Sequence, residues 1–210
     1  TRTAIAKNIA ATTTPIITRT PRRTATPPIT DTPAPVDKSL LLDDGFVTNE
    51  WAEATGPTWS TRYDGKRYHL AAQANGDAAW AYRPFDATNI HMIADIQINS
   101  GQGGLALRYH AENDFVAVVL VPATQEYRIV QRQDNQFIEI TRGANPSIQR
   151  DNLLEVTVVG KEITITINGN LITSTTIDTL TDSARFGMIA IPDTSDADVL
   201  FSHLTVRTAP

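Results

Sequence analysis

The chain has 210 residues, no cysteine, 41% hydrophobic residues and a formal net charge of −5. The absence of cysteine excludes disulfide scaffolds, thiol nucleophiles and thiolate zinc sites. No run of about 18 apolar residues occurs, so no segment of the sequence predicts a transmembrane helix.

Basic and acidic residues are unevenly distributed along the chain. Residues 1–38 contain six Lys or Arg against two Asp, a net charge of +4 that leaves −9 for residues 39–210. An acidic domain repels phosphate backbones, so we expect no nucleic-acid partner. The basic residues of 1–38 are scattered rather than clustered, so we expect membrane attachment only through an anchor upstream of this chain.

Threonine and proline dominate residues 11–35, and residues 1–38 contain no aromatic residue. Proline removes backbone donors and favours an extended backbone, so such a segment cannot build a packed core. We therefore predict a disordered Thr/Pro-rich linker or stalk over residues 1–38 and one folded domain over residues 39–210. The chain begins at Thr1 rather than Met, so we expect a processed product or a piece of a longer protein.

From Leu40 onward, short apolar runs alternate with polar residues at the period of a β-strand. They recur about every ten residues without an amphipathic helical pattern between them, which favours an all-β, two-sheet antiparallel β-sandwich of the jelly-roll type. A closed barrel is the alternative. The run 114–121 is apolar on both faces, as expected of a central strand, and Asn168-Gly169 is the strongest hairpin signal. The predicted strands are 67–72, 78–83, 90–99, 104–110, 114–121, 126–133, 136–141, 152–160, 162–169, 170–177, 184–191 and 198–206.

The domain opens with "LLDDGF", continues through "ADIQINSGQGGLALRYH" and "NLLEVTVVGKEITITING", and ends with "ARFGMIAI" and "ADVLFSHLTV". This succession over residues 40–207 resembles the laminin G-like, concanavalin A-like lectin and glucanase jelly rolls of exported bacterial proteins. Such domains often stand on Thr/Pro stalks in lipoproteins and receptor-like Ser/Thr kinases. In one departure, Ser202-His203 follows Phe201, where that group often has Asp-Asn. The resemblance implies a fold and an extracellular or cell-surface location more than an activity.

Catalytic motifs are absent from the sequence. Glycosidases of this superfamily need two carboxylates facing each other across a sugar, and the glucanase string E-x-D-x-x-E does not occur. The four histidines have no pair at metal-ligand spacing, and no G-x-S-x-G elbow or phosphate-binding loop is present. We therefore expect no enzymatic activity, with a divergent glycoside hydrolase as the alternative.

The best candidates for a sugar site are aromatic and basic residues on predicted strands. Trp80 and Tyr82 lie two positions apart and so share a face, which suits stacking on a pyranose ring. If the leucines of 104–110 are core, Arg108 and His110 point outward, and Arg128 on a nearby strand joins them. The alternative is that the aromatic residues fill the core and the basic residues pair with surface carboxylates.

Acidic residues near both ends of the domain suggest a structural calcium ion. Asp43 and Asp44 open the domain, and Asp196 and Asp198 precede its last strand. First and last strands are often neighbours in such sandwiches, so these carboxylates could meet and bind calcium through hard oxygen ligands. The alternative is that they are ordinary turn residues.

Together these features predict a non-catalytic, extracytoplasmic binding or sensor module for a glycan or other cell-surface polymer. A structural or protein–protein adhesion module is a further alternative, which predicts an exposed apolar patch or a free sheet edge in place of a polar groove.

Overall fold

The computed structural model describes residues 39–180 and 182–209, all of which belong to one unit, Asp37–Pro210. These residues form strands, turns and loops in two antiparallel sheets that stack as a β-sandwich, which confirms the predicted all-β fold and rules out the closed barrel. In this part of the chain no helix is long and apolar enough to cross a bilayer. The stalk predicted over 1–38 lies outside the described residues.

The larger sheet has nine strands and the smaller sheet six. The order in the larger sheet is β13-β12-β11-β6-β15-β4-β3-β2, with β1 also paired to β15, and the order in the smaller sheet is β10-β9-β8-β7-β14-β5. The strands are β1 Leu40–Asp44, β2 Ala54–Thr55, β3 Trp59–Tyr63, β4 Tyr68–Ala72, β5 Ala79–Pro84, β6 Ile90–Ser100, β7 Gln102–Ala111, β8 Asp114–Val121, β9 Glu126–Gln133, β10 Gln136–Ala144, β11 Asp151–Val159, β12 Glu162–Ile167, β13 Asn170–Thr176, β14 Arg185–Ile191 and β15 Ala197–Thr208.

Two hairpin turns follow directly from residue type. Asn168 and Gly169 have φ angles of 51° and 78° between β12 and β13, as the predicted type I′ turn requires. Asp134 and Asn135 have φ angles of 50° and 61° between β9 and β10. Because Asn, Asp and Gly tolerate positive φ, these dipeptides fix the register of both hairpins.

The main core lies between the sheets and is built by alternation. On β6, for example, Ile90, Met92 and Ile96 are at most 2% exposed and face the smaller sheet, while His91 and Asp95 point the other way. Each fully buried aliphatic side chain of this kind contributes about 1.5–3 kcal/mol, so the two sheets are held together mainly by this layer.

A second apolar layer covers the opposite, outer face of the smaller sheet. On β8, Val116 and Val118 face the main core, whereas Phe115, Ala117 and Val119 belong to the outer layer. All five are at most 2% exposed, which confirms that the run 114–121 is a strand covered on both sides. The outer layer consists of Ala78, Ala106, Tyr109, Phe115, Ala117, Val119, Val130, Ile189 and Ile191, with Trp80 and Phe137 packed against it.

A bulge in β7 overturns the expected orientation of Arg108. The pairing of β7 with β8 shifts between Leu107 and Ala111, and Arg108 adopts a positive φ of 49°. Strict alternation fails across a bulge, so Tyr109 takes the outer-face position and Arg108 is only 1% exposed. The expectation that Arg108 points outward was therefore wrong: its guanidinium contacts Asp182 at 3.0 Å and Asn89 at 3.4 Å.

The segment after β1 is anchored by the buried carboxylate of Asp44. Asp44 Oδ2 accepts a hydrogen bond from Trp51 Nε1 at 2.8 Å, and Oδ1 accepts one from the Phe46 backbone N–H at 2.7 Å. The rings of Phe46, Trp51 and Tyr68 pack together with centroid distances of 5.9–6.4 Å. Tyr68 donates its hydroxyl proton to the Ala52 carbonyl, and burial raises its pKa to about 12. These contacts hold the segment after β1 against the main core.

We predict that Asp44→Ala lowers the free energy of unfolding by about 2–4 kcal/mol, because two buried N–H donors lose their acceptor. Asp43→Ala is the matched control. Its carboxylate is 55% exposed and pairs with His203 at 2.6 Å, so we expect a change of about 0–1 kcal/mol. Urea unfolding monitored by tryptophan fluorescence measures both, and equal losses would contradict the assignment of the anchor to Asp44.

Candidate functional site

A pocket of about 370 Å³ opens on the outer face of the smaller sheet, beside the second apolar layer. Trp80 enters it from β5 and Arg132 from β9. Trp59 begins β3, and loops and turns at the strand ends supply the remaining wall, so strands hold the three largest side chains while loops complete the rim. The lining residues are Trp59, Asp77, Ala78, Trp80, Glu112, Arg132 and Asn135.

A continuous group of aromatic rings extends from this pocket across the sheet. Phe115 lies 5.6 Å from Trp80, 5.3 Å from Tyr109 and 6.1 Å from Phe137, measured between ring centroids. Tyr82 stacks on Tyr109 at 3.9 Å with an interplanar angle of 17° and remains 40% exposed. Burial raises the pKa of Tyr109 above its ordinary value. The outer face therefore carries a largely buried aromatic cluster in which Tyr82 is the most exposed ring.

Arg132 is the unusual residue of the pocket. It is 6% exposed, and its guanidinium carbon lies 4.8 Å from the ring centroid of Phe137 and 5.8 Å from that of Trp80. Within 39–180 and 182–209, its buried Nε–H has no hydrogen-bond acceptor. Desolvation lowers the pKa of Arg132, and the charges of Asp77 and Glu112 act in the opposite direction. Arginine stays protonated at neutral pH, so the pocket contains a permanent positive charge that packs against the rings of Trp80 and Phe137.

Arg128, on the same strand and the same face, differs from Arg132 in its ion pairs, although its Nε–H also lacks a hydrogen-bond acceptor. Its Nη2 donates to Glu126 Oε2 at 2.9 Å, and Glu139 lies 3.8 Å from its Nε. These carboxylates neutralise Arg128 at the surface, and Arg128 does not line the pocket. Arg132 forms no such ion pair with the carboxylates that the structure describes.

The structure thus gathers only part of the predicted sugar site. Trp80 lines the pocket, and Tyr82 lies outside it, connected to Trp80 through the rings of Tyr109 and Phe115. Arg108 is buried behind the bulge, and His110 is exposed beside a different groove that includes Asp182 and Arg185. Their roles in ligand binding stay predictions.

Sequence reasoning missed Arg132, Asp77, Glu112 and Asn135. Arg132 could have been found, because "EYRIVQRQ" places it on the same face of β9 as Arg128. Asp77 stands in a loop and the other two stand in turns, where no period predicts the direction of a side chain.

The four predicted calcium ligands do not meet. The first and last strands are neighbours as expected, but Asp43 lies opposite Thr205, near the C-terminal end of β15, and Asp198 stands near its N-terminal end. Seven residues of extended strand separate those positions, about 23 Å. The expectation of one site formed by Asp43, Asp44, Asp196 and Asp198 was therefore wrong.

Each of these carboxylates has a local partner instead. Asp43 and Asp44 contact His203 and Trp51, Asp198 contacts His69 Nε2 at 2.8 Å, and Asp196 accepts from the Ala74 N–H at 2.7 Å. Across the described ranges, no three His, Asp or Glu side chains are grouped as metal ligands would be.

A groove on the outer face of the larger sheet is the main competitor for a binding site. It has a volume of about 380 Å³ and is lined by Arg67, Asp95, Gln97 and Asp151, among others. Arg67 already donates to Gln97 at 3.2 Å and pairs with Asp64 at 3.2 Å. Because its cation is satisfied and no aromatic side chain lines it, this groove is the weaker candidate.

The domain is similar in structure to the carbohydrate-binding module CBM66 from Bacillus subtilis, with a TM-score of 0.57, 14% identity, and coverage of 75% of this chain and 95% of that chain. A protein of unknown function with a galectin-like fold from Bacillus subtilis has a TM-score of 0.57 and 10% identity, covering 81% and 96%. The GH43 protein BlXynB from Bacillus licheniformis, as a mutant, has a TM-score of 0.57 and 11% identity, covering 80% and 39%.

At such low identity these likenesses establish the fold alone, a jelly-roll β-sandwich. No protein-family model matches the chain, and no curated protein matches it.

We predict that Arg132→Met leaves the free energy of unfolding unchanged or raises it by up to about 2 kcal/mol. The variant removes a buried charge that lacks a described acceptor, and the thioether keeps contact with the rings. Arg128→Met is the control, and we expect it to be slightly destabilising because it breaks surface ion pairs. Denaturant unfolding measures both. A loss of more than about 2 kcal/mol in Arg132→Met would show that the arginine serves folding.

Proposed function

We propose that the domain is a non-catalytic glycan-binding module and that the pocket around Trp80 and Arg132 holds the sugar. The observation that carries the proposal is Arg132, a buried cation packed against aromatic rings that forms no ion pair with a carboxylate in the part of the chain described, and whose Nε–H meets no acceptor there. Such a group costs folding free energy, which a ligand offering acceptors would offset on binding.

The lining of the pocket suits a sugar. Trp80 and the exposed ring of Tyr82 supply aromatic surface for the apolar face of a pyranose. Arg132 and Asn135 supply donors for hydroxyl oxygens. The volume of about 370 Å³ lies near the lower end of ligand pockets, about 300–1,000 Å³, which favours one or two sugar rings over a long chain.

One structural neighbour, CBM66 from Bacillus subtilis, is a carbohydrate-binding module, and this supports the proposal. We further propose that the domain is laminin G-like, and that it works outside a bacterial cell as a sensor or adhesion unit on its Thr/Pro segment. Any membrane attachment would come through an anchor upstream of this chain. Neither the glycan-binding role nor the extracellular location requires a nucleic-acid partner or catalytic activity.

A divergent glycoside hydrolase is the second candidate, favoured by one observation: Asp77 and Glu112 line the same pocket. Two carboxyl groups across a sugar are the catalytic requirement of most glycosidases. Release of new reducing ends from a bound oligosaccharide, lost in Glu112→Gln, would support the hydrolase. Unchanged oligosaccharide after prolonged incubation with the wild-type chain would support the binding module.

We predict that the 210-residue chain binds a class of polysaccharide saturably, and that Trp80→Ala and Arg132→Met each weaken binding at least about tenfold, or about 1.4 kcal/mol. A glycan array followed by calorimetry, with calcium and with EDTA, measures this and tests for a required metal. Leu171→Ala is the control, because Leu171 is 70% exposed on β13 of the other sheet. Binding that survives both pocket variants would contradict the proposed site.

A further inference from the structure

The pocket contains charges of both signs, and acidic groups outnumber basic ones. Arg132 is a pure donor, Asp77 and Glu112 are pure acceptors when ionised, and Asn135 can do both. The formal charge of the lining is therefore −1. A matching ligand must accept hydrogen bonds at one point and donate them at another.

The two carboxylates lie close enough to Arg132 for their charges to act on it, yet neither forms an ion pair with it among the described contacts. Backbone N–H groups hold these loops in place. The Asp77 N–H donates to Thr58 Oγ1 at 3.1 Å, and the turn that contains Glu112 is tied to the turn between β9 and β10 because the Asn135 N–H donates to Asn113 Oδ1 at 3.0 Å. The loops that carry both carboxylates are thus fixed at the wall of the pocket.

We propose that this arrangement selects a neutral glycan through neighbouring hydroxyl groups and disfavours acidic sugars. The inference rests on the proposed function. One hydroxyl oxygen accepts from Arg132 while it or its neighbour donates to Asp77 or Glu112. A hydroxyl is both donor and acceptor, so a vicinal pair satisfies both kinds of group at once.

A sugar carboxylate fits this lining poorly. It can accept from Arg132, but it has no proton to donate to Asp77 or Glu112 at neutral pH. It would also approach two like charges in a partly desolvated pocket, where repulsion is stronger than in water. Arg132 alone would suggest an acidic ligand, and the two carboxylates reverse that preference.

The test compares a neutral polysaccharide with the same polymer oxidised at C6 to the uronic acid, using the full chain and calorimetry. We expect the wild type to bind the neutral form at least about tenfold more tightly. Asp77→Asn and Glu112→Gln should each weaken neutral binding about threefold to tenfold and strengthen binding of the oxidised form. Glu126→Gln is the control, because Glu126 pairs with Arg128 outside the pocket and should change neither affinity.

A preference for the oxidised polymer over the neutral one would overturn the inference. If the oxidised polymer binds more tightly to the wild type, and still more tightly to the two amide variants, the pocket selects an acidic sugar and the glycan-binding proposal stands. If neither polymer nor any other glycan on the array binds, the proposed function itself fails. Thermal unfolding of each variant, expected within a few degrees of the wild type, shows that a lost affinity is not lost folding.

Discussion

The candidate binding site depends on one constraint, the burial of the Arg132 guanidinium on the outer face of the smaller sheet. Removing a charge from water costs free energy unless hydrogen bonds or opposite charges replace the lost hydration. Arg132 has rings on its sides, and its Nε–H lacks an acceptor across residues 39–180 and 182–209. Arg128 on the same strand pairs with Glu126 through Nη2, although its own Nε–H also lacks an acceptor, so the two arginines differ in their ion pairs. We propose that a bound ligand offsets the cost at Arg132.

The fold creates this environment by burying both faces of the smaller sheet. Central strands such as β8 place apolar side chains on both sides, so the outer face excludes water from beneath the pocket. At two glycines, neighbouring strands of the smaller sheet lie so close together that a side chain would clash with the backbone. A Cβ added at Gly104 would lie 1.9 Å from the Val118 carbonyl oxygen, and one added at Gly187 would lie 1.8 Å from that of Ala81. Desolvated rings and a fixed cation are the result, and both strengthen electrostatic contacts with a bound molecule.

The sequence was sufficient for the regular parts of the fold. Every predicted strand from 67 to 206 overlaps an observed one, and Asn168-Gly169 forms its turn because few other dipeptides accept positive φ twice. The opening strands β1, β2 and β3 were missed, since "LLLDD" and "WSTRY" do not alternate and β2 has only two residues. Arg108 was misplaced by a bulge that leaves no mark on the apolar pattern. The pocket was predicted only through Trp80, because its two carboxylates stand in a loop and a turn that tertiary packing brings together.

The measurement that tests the central claim most directly is the nuclear magnetic resonance signal of the Arg132 Nε–H group, assigned by its loss in Arg132→Met. It should be followed while a neutral oligosaccharide is added to the full chain. The account predicts a saturable shift of this signal, with the Arg128 signal unchanged. Saturable glycan binding that shifts Arg128 or Arg67 and leaves Arg132 unmoved would contradict it, because the sugar would then lie outside the pocket.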